Sequence, residues 1–195
     1  MLRLFLLSIF MLSGCTYSTN PIFTEQDNVF DEAFIGTWQA EDGIPDVGTF
    51  EVTRWAPDDK SYRVILRNQA NVKQGTFQLY LSQIDGTKFL TGKFEKPRPE
   101  KAGANELAVP AIYQTYAIDQ LERERLKTRH LRGDWLAMQV NSNPELLKHE
   151  WNARPGDPKK KDLLLTASRP ELRAFVLSQL DKRDAWMPIT FKKIR

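Results

Sequence analysis

Thiol and imidazole groups are nearly missing from this chain: there is one cysteine, Cys15, and two histidines, His130 and His149. A single thiol makes no internal disulfide and no cysteine metal cluster. His149-Glu150 opens like a zinc-protease helix, but Ala153 stands where the second His would have to be. No metal and no cofactor are therefore expected. There is no Gly-x-Ser-x-Gly elbow and no phosphate loop. Asp58-Asp59 and Glu122/Glu124 are carboxylate pairs, the first in a turn and the second on one strand face. Acid–base work needs a raised carboxyl pKa, hence burial, and nothing in these positions calls for it. The expectation is a protein that is not an enzyme. Charge of one sign is scarce too: the formal net charge is +3, too small a bias to imply nucleic acid. No apolar run reaches the roughly 20 residues of a membrane-spanning helix.

What is present begins with Arg3, a short apolar run from Leu4 to Leu12, and then Ser13-Gly14-Cys15. A charged start, an apolar middle and a small-residue end read as a secretory signal over residues 1–14. Leu12-Ser13-Gly14-Cys15 resembles the lipobox of bacterial lipoproteins. That resemblance implies a diacylglyceryl and a palmitate-type acyl group on Cys15, with cleavage before it. It also implies a cell-membrane, lipid-anchored location. Thr16 follows the Cys where an Asp would favour inner-membrane retention, so the periplasmic side of the outer membrane is implied for a Gram-negative source. Residues 15–30 then read as lipidated Cys and tether: Thr16 to Pro21 is polar, turn-rich and without apolar period. Such a tether reaches at most about 50 Å extended.

From residue 31 to 195 the pattern is that of one domain. Ile35 to Trp38, Gly48 to Trp55, Ser61 to Arg67, Gly75 to Ile84 and Lys88 to Phe94 predict short strands, with a hairpin at Asp85-Gly86. Phe50, Val52, Tyr62, Val64, Leu66, Phe77, Leu79 and Leu81 fall on one face, and polar residues fall on the other. Residues 95–108, with Pro97, Pro99 and Gly103 among charged residues, predict a surface loop. Val109 to Gln120, with Ile112, Tyr116 and Ile118 as its apolar residues, and the charged strand or edge Glu122 to Arg132, with Leu126 and His130 turned inward, predict two more strands. A short helical insertion follows, with Asp134 as its cap and Asn143 capping a second turn, although Leu136, Met138 and Val140 would also suit a strand. Lys148 to Asn152 and Asp162 to Thr166 predict strands around a loop that includes Lys159-Lys160-Lys161. Ser168-Arg169-Pro170-Glu171 is a capping box for a helix whose Leu172, Phe175, Val176 and Leu180 share a face. Ile189 to Ile194 predicts the last strand.

The start Phe34-Ile35-Gly36-Thr37-Trp38, followed by a meander, a late helix and a last strand, resembles the lipocalins. The resemblance implies a mainly β fold: an antiparallel lipocalin-like β-barrel with a C-terminal α-helix, its floor closed by Trp38. The closing Arg of that family is not recognisable, and the insertion from Trp135 to Leu147 has no counterpart. Two functions stay open. In one, a small apolar ligand or lipid sits in the barrel against Trp38, Tyr62, Val64, Phe77 and Leu79. In the other, the barrel is filled and serves as a structural or protein-interaction module for an envelope partner. Interior volume discriminates between them. Two cationic features stay open as well. Lys159 to Lys161 suit either anionic lipid or a solvated hairpin tip. Arg123, Arg125, Lys127 and Arg129 suit either an anionic glycan or headgroup, or protection of a strand edge.

Overall fold

The computed structural model describes residues 16–41, 48–94, 111–154 and 157–195, with backbone alone for 154 and 157–160. The signal at 1–14, Cys15, the turn after Asp42 and the charged loop at 95–108 lie outside the described residues.

The strands are β1 (Tyr17–Ser18), β2 (Asn28–Val29), β3 (Gly36–Ala40), β4 (Thr49–Arg54), β5 (Ser61–Arg67), β6 (Lys73–Ile84), β7 (Thr87–Phe94), β8 (Ile112–Leu121) and β9 (Arg125–Leu131). Then come helix α1 (Gly133–Ser142), β10 (His149–Arg154), β11 (Asp157–Leu165), helix α2 (Arg169–Ser178) and β12 (Trp186–Lys193). Strands β3 to β9 pair with their chain neighbours, and β12 pairs with both β3 and β9. This makes a closed eight-stranded antiparallel barrel with two short helices, one near the C-terminus. The hairpin β10–β11 extends the sheet outside the barrel, joined to β8 through β1.

The meander forms where alternation is strongest. In the pairs Phe50–Leu66, Val52–Val64, Tyr62–Leu79 and Val64–Phe77, apolar side chains meet across strands and face inward together. Asp85 and Gly86 turn the β6–β7 hairpin with positive φ at both, 48° and 82°, the conformation a two-residue hairpin needs.

The outer face is not uniformly wet. Tyr80, Ile84, Phe89 and Ala117 of β6, β7 and β8 belong to a second apolar core outside the barrel. Ile22 and Phe23, Leu136 and Val140 of α1, Leu163 and Leu165 of β11, and Leu172, Phe175 and Val176 of α2 join it, with Trp135 and Trp186 among its other members. The capping box of α2 is formed: the Glu171 carboxylate accepts from the Ser168 N–H at 2.8 Å and its hydroxyl at 2.6 Å. The insertion is helical, because Leu136 and Val140, four apart, are buried while Met138 between them is 58% exposed.

Several expectations are corrected. Residues 16–30 are no free tether: Ile22 and Phe23 are buried, and Asp27 receives Arg173 of α2 at 3.0 Å. The apolar Ile22-Phe23 pair was too short a signal to read by period. Burial raises the Asp27 carboxyl, but the Thr24 N–H and hydroxyl and Arg173 more than offset this and hold it below the usual range. Asp134 does not cap α1; Arg132 stands at that position, and Asp134 instead pairs with its guanidinium. Asn143 precedes the turn at Pro144–Leu146 but makes no side-chain cap bond. Lys159 to Lys161 are not in a loop but in β11: Lys161 pairs with Ala153, while Lys159 and Lys160 lie at a register shift in the ladder to β10.

Candidate functional site: an apolar cavity in the barrel

One end of the barrel is closed. Phe34 ends a short turn of helix, Glu32–Phe34, that enters the barrel, and its carbonyl accepts from the Trp38 indole N–H at 2.9 Å. Trp38, Tyr62 and Val52 beside it are fully buried. The Tyr62 hydroxyl accepts from the Asp31 N–H at 2.7 Å and donates to the Asp31 carbonyl at 3.2 Å. Burial pushes this phenol up to about 12. Phe30 stacks on the Tyr62 ring, and the Arg54 guanidinium lies 3.7 Å from the centre of the Phe30 ring. No closing Arg was legible in the sequence, yet a cation does seal this end. Lys193 Nζ donates to the carbonyls of Ala33 and Ile35 at 2.7 Å each and lies 4.9 Å from the Trp38 ring.

Toward the other end the interior is hollow. A partly open cavity of about 110 Å³ is walled almost wholly by apolar side chains, among them Phe34, Val64, Leu66, Leu79 and Leu90. Phe50 meets Phe191 edge to face at 5.0 Å, and Phe77 meets Phe94 at 4.9 Å; all four line the cavity and are half-buried. Inward-pointing rings that stay half-buried mark the mouth of the barrel.

Of the residues expected to meet a ligand, Val64, Phe77 and Leu79 line this cavity. Trp38 and Tyr62 do not: they belong to the floor, where the hydrogen bonds above occupy their polar atoms. The sequence reading missed Leu90, Phe94, Ile189 and Phe191 on the wall; it had Tyr116 in an apolar pattern and Leu126 turned inward, but placed neither at a ligand. Alternation within β7, β8, β9 and β12 held that signal, but which face turns inward depends on closure of the barrel.

Two polar side chains share the inward face. Gln114 of β8 is 1% exposed and His130 of β9 is 4% exposed. Burial pushes the His130 imidazole below its ordinary range, so it is neutral at pH 7.

The cations Arg125 and Arg129 of β9 point outward. Arg125 meets Glu41 at 2.8 Å and Arg129 meets Asp119 at 3.0 Å, and Arg129 also donates to the Leu180 carbonyl at 2.6 Å. Among the described residues no group of three or more His, Cys, Asp or Glu is placed to hold a metal, and no helix is long and apolar enough to cross a membrane.

Fold and site together define a closed eight-stranded antiparallel barrel with a sealed floor and an apolar, half-open interior. Comparison of the chain with family models, with curated proteins and with solved structures returns no match.

Proposed function

We propose that the protein is a lipid-anchored barrel of the bacterial envelope, lipocalin-like in kind, that takes a small apolar ligand or the end of a lipid chain through its mouth. The observation that carries this reading is that the chain enters the fold at the same end as the cavity mouth. Thr16 donates to the Leu131 carbonyl at 3.2 Å, Ser18 pairs with Tyr113, and the Tyr17 ring meets Phe94 edge to face at 6.5 Å. Phe94 itself lines the cavity. Thr16 directly follows Cys15, and adjacent Cα atoms lie about 3.8 Å apart. A lipid on Cys15 therefore holds the mouth, rather than the sealed floor, toward the membrane. With residues 16–30 packed on the barrel, little slack separates domain and bilayer. In a Gram-negative cell, Thr16 favours the outer membrane.

Size limits the ligand. Drug-sized pockets run to about 300–1,000 Å³, and a dry cavity of about 150 Å³ holds benzene. A cavity of about 110 Å³ with an open side suits a single ring or the tip of an acyl chain. The same small volume favours the second reading, a filled barrel that acts as an interaction module.

Two measurements test the proposal. Acyl labelling should be present in wild type and absent in Cys15→Ser; a variant that still labels and still partitions with membranes sinks the anchor. Toluene should bind the purified protein saturably, one to one, by NMR titration. Leu79→Trp, which fills the cavity, should abolish that binding while the cooperative melt persists. A cooperative wild-type protein that binds no toluene points to the filled barrel.

A further inference from the structure

We propose that Gln114 and His130 form a neutral polar anchor beside the cavity, so that the ligand is an uncharged amphiphile with a hydroxyl or amide group attached to its apolar body. The inference rests on the reading of the barrel as a ligand carrier.

The placement follows from register. Gln114 pairs with Gly92, and His130 pairs with Tyr116. Gly92, Tyr116 and Thr128 line the cavity, and strand alternation puts Gln114 and His130 on that same inward face. Tyr116 and Gln114 are two apart on one strand, so Gln114 and His130 are diagonal neighbours, on the order of 7–8 Å apart between backbones. Neither side chain is on the cavity wall itself; each stands beside a wall residue on the same inward face, Gln114 beside Gly92 and His130 beside Tyr116, so a small polar group on the ligand meets them where it passes that wall.

Four polar atoms are without a partner here: Oε1 and Nε2 of Gln114, and Nδ1 and Nε2 of His130. Buried polar groups are almost always hydrogen-bonded, and leaving them unpaired is costly. A neutral imidazole offers one donor and one acceptor, and the amide offers both. A hydroxyl or amide on the ligand, itself both donor and acceptor, matches that set. A carboxylate does not, because among the described residues no cation side chain is paired with either of them. The inward lysines among the described residues are at the sealed end, where Lys88 meets Asp31 at 3.0 Å and Lys193 holds the Ala33 and Ile35 carbonyls.

The other unpartnered buried atoms are elsewhere. Asn28 Oδ1 and Ser82 Oγ belong to paired residues on the outer wall. Thr166 and Gln179 lie in the segment outside the barrel. None of them borders the cavity.

Benzyl alcohol and toluene differ by one hydroxyl and make a matched pair, with benzoate as the charged third member. Calorimetric titration of the purified protein at pH 7 should show benzyl alcohol binding about tenfold tighter than toluene, the difference expected for one well-made buried hydrogen bond. Benzoate should bind more weakly than either. Gln114→Leu and His130→Phe should each remove the preference for the alcohol and leave toluene binding in place. In wild type, the His130 ring nitrogens should shift in the NMR spectrum on adding benzyl alcohol and not on adding toluene, a readout that needs no variant. Equal binding of toluene and benzyl alcohol, with unmoved His130 resonances, overturns the anchor and leaves the apolar carrier standing. Tighter binding of benzoate overturns the neutral class. Failure of all three to bind overturns the anchor and the carrier together.

Discussion

Trp38→Ala should destabilise the protein by about 3–5 kcal/mol, the range for truncating a large buried aromatic, and a urea unfolding titration would measure it. Trp38 is fully buried at the sealed end, in contact with Phe34 on one side and under Lys193 on the other. Three losses combine. The cavity left by an indole removes dispersion contacts that the barrel walls cannot recover by collapsing, because ladder hydrogen bonds hold the walls apart. The Phe34 carbonyl loses its donor. Lys193 loses the ring face that partly compensates for its burial, which already lowers its pKa. Trp38→Phe keeps much of the volume and should cost clearly less. A loss below about 1.5 kcal/mol for the Ala variant would show that the Glu32–Phe34 plug repacks, and that the floor does not depend on the indole.

The second large effect is expected at Gly36, two residues earlier. Its φ is +139°, a conformation that side chains rarely adopt, and a Cβ there would lie 2.6 Å from the Arg195 carbonyl oxygen. That oxygen accepts from the Thr37 N–H at 2.9 Å, and the Ile194 N–H donates back to the Thr37 carbonyl at 2.8 Å. Gly36→Val therefore meets backbone strain of about 1–3 kcal/mol and a steric cost of about 1–3 kcal/mol. A total loss of about 2–6 kcal/mol is expected by thermal or urea melting. Gly86 supplies the control: its φ is also positive, but a Cβ there would meet nothing within 4 Å. Gly86→Ala should show the backbone part alone, near 1 kcal/mol. Equal losses at the two positions would mean that the last residues simply move aside.

These two variants test one end of the barrel, and the toluene and benzyl alcohol titrations test the other. The ends are decoupled in kind. The floor is a set of satisfied polar groups around fully buried rings. The mouth is a set of half-buried phenylalanines beside two polar side chains without partners. A floor variant that still folds should keep toluene binding, because Trp38 and Tyr62 lie outside the cavity wall.

The meander was legible because its signal is local. Side chains alternate with period two, so Phe50 to Leu81 declares one apolar face whatever the rest of the chain does. Ser168 and Glu171 declare the start of α2 for the same reason: both partners of the box lie within four residues. Strand spacing gave an antiparallel meander; its closure into a barrel was implied only by the resemblance of the Gly36-Thr37-Trp38 start and the order of elements to the lipocalins. Long-range packing decided the remainder. Ile22 and Phe23 gave no period because they are two residues in a polar stretch, and only the outer wall of β6 to β8 makes them core. The lysines of β11 looked like a loop because Pro158 and the charges outweigh any local strand signal; pairing with Ala153 holds Lys161 in the ladder, and Lys159 and Lys160 lie at the register shift beside it. Trp38 and Tyr62 shared the inward face with Val64, Phe77 and Leu79, and alternation alone could not separate floor from cavity. That division is axial: it depends on how far the Glu32–Phe34 plug reaches into the barrel. Gln114 lay in a stretch that read as ordinary strand, whereas alternation with Leu126 had already turned His130 inward. Their missing partners exist only once β8 and β9 pair and the barrel closes, because a side chain's hydrogen-bond partners are set by what surrounds it in space and not by its neighbours along the chain.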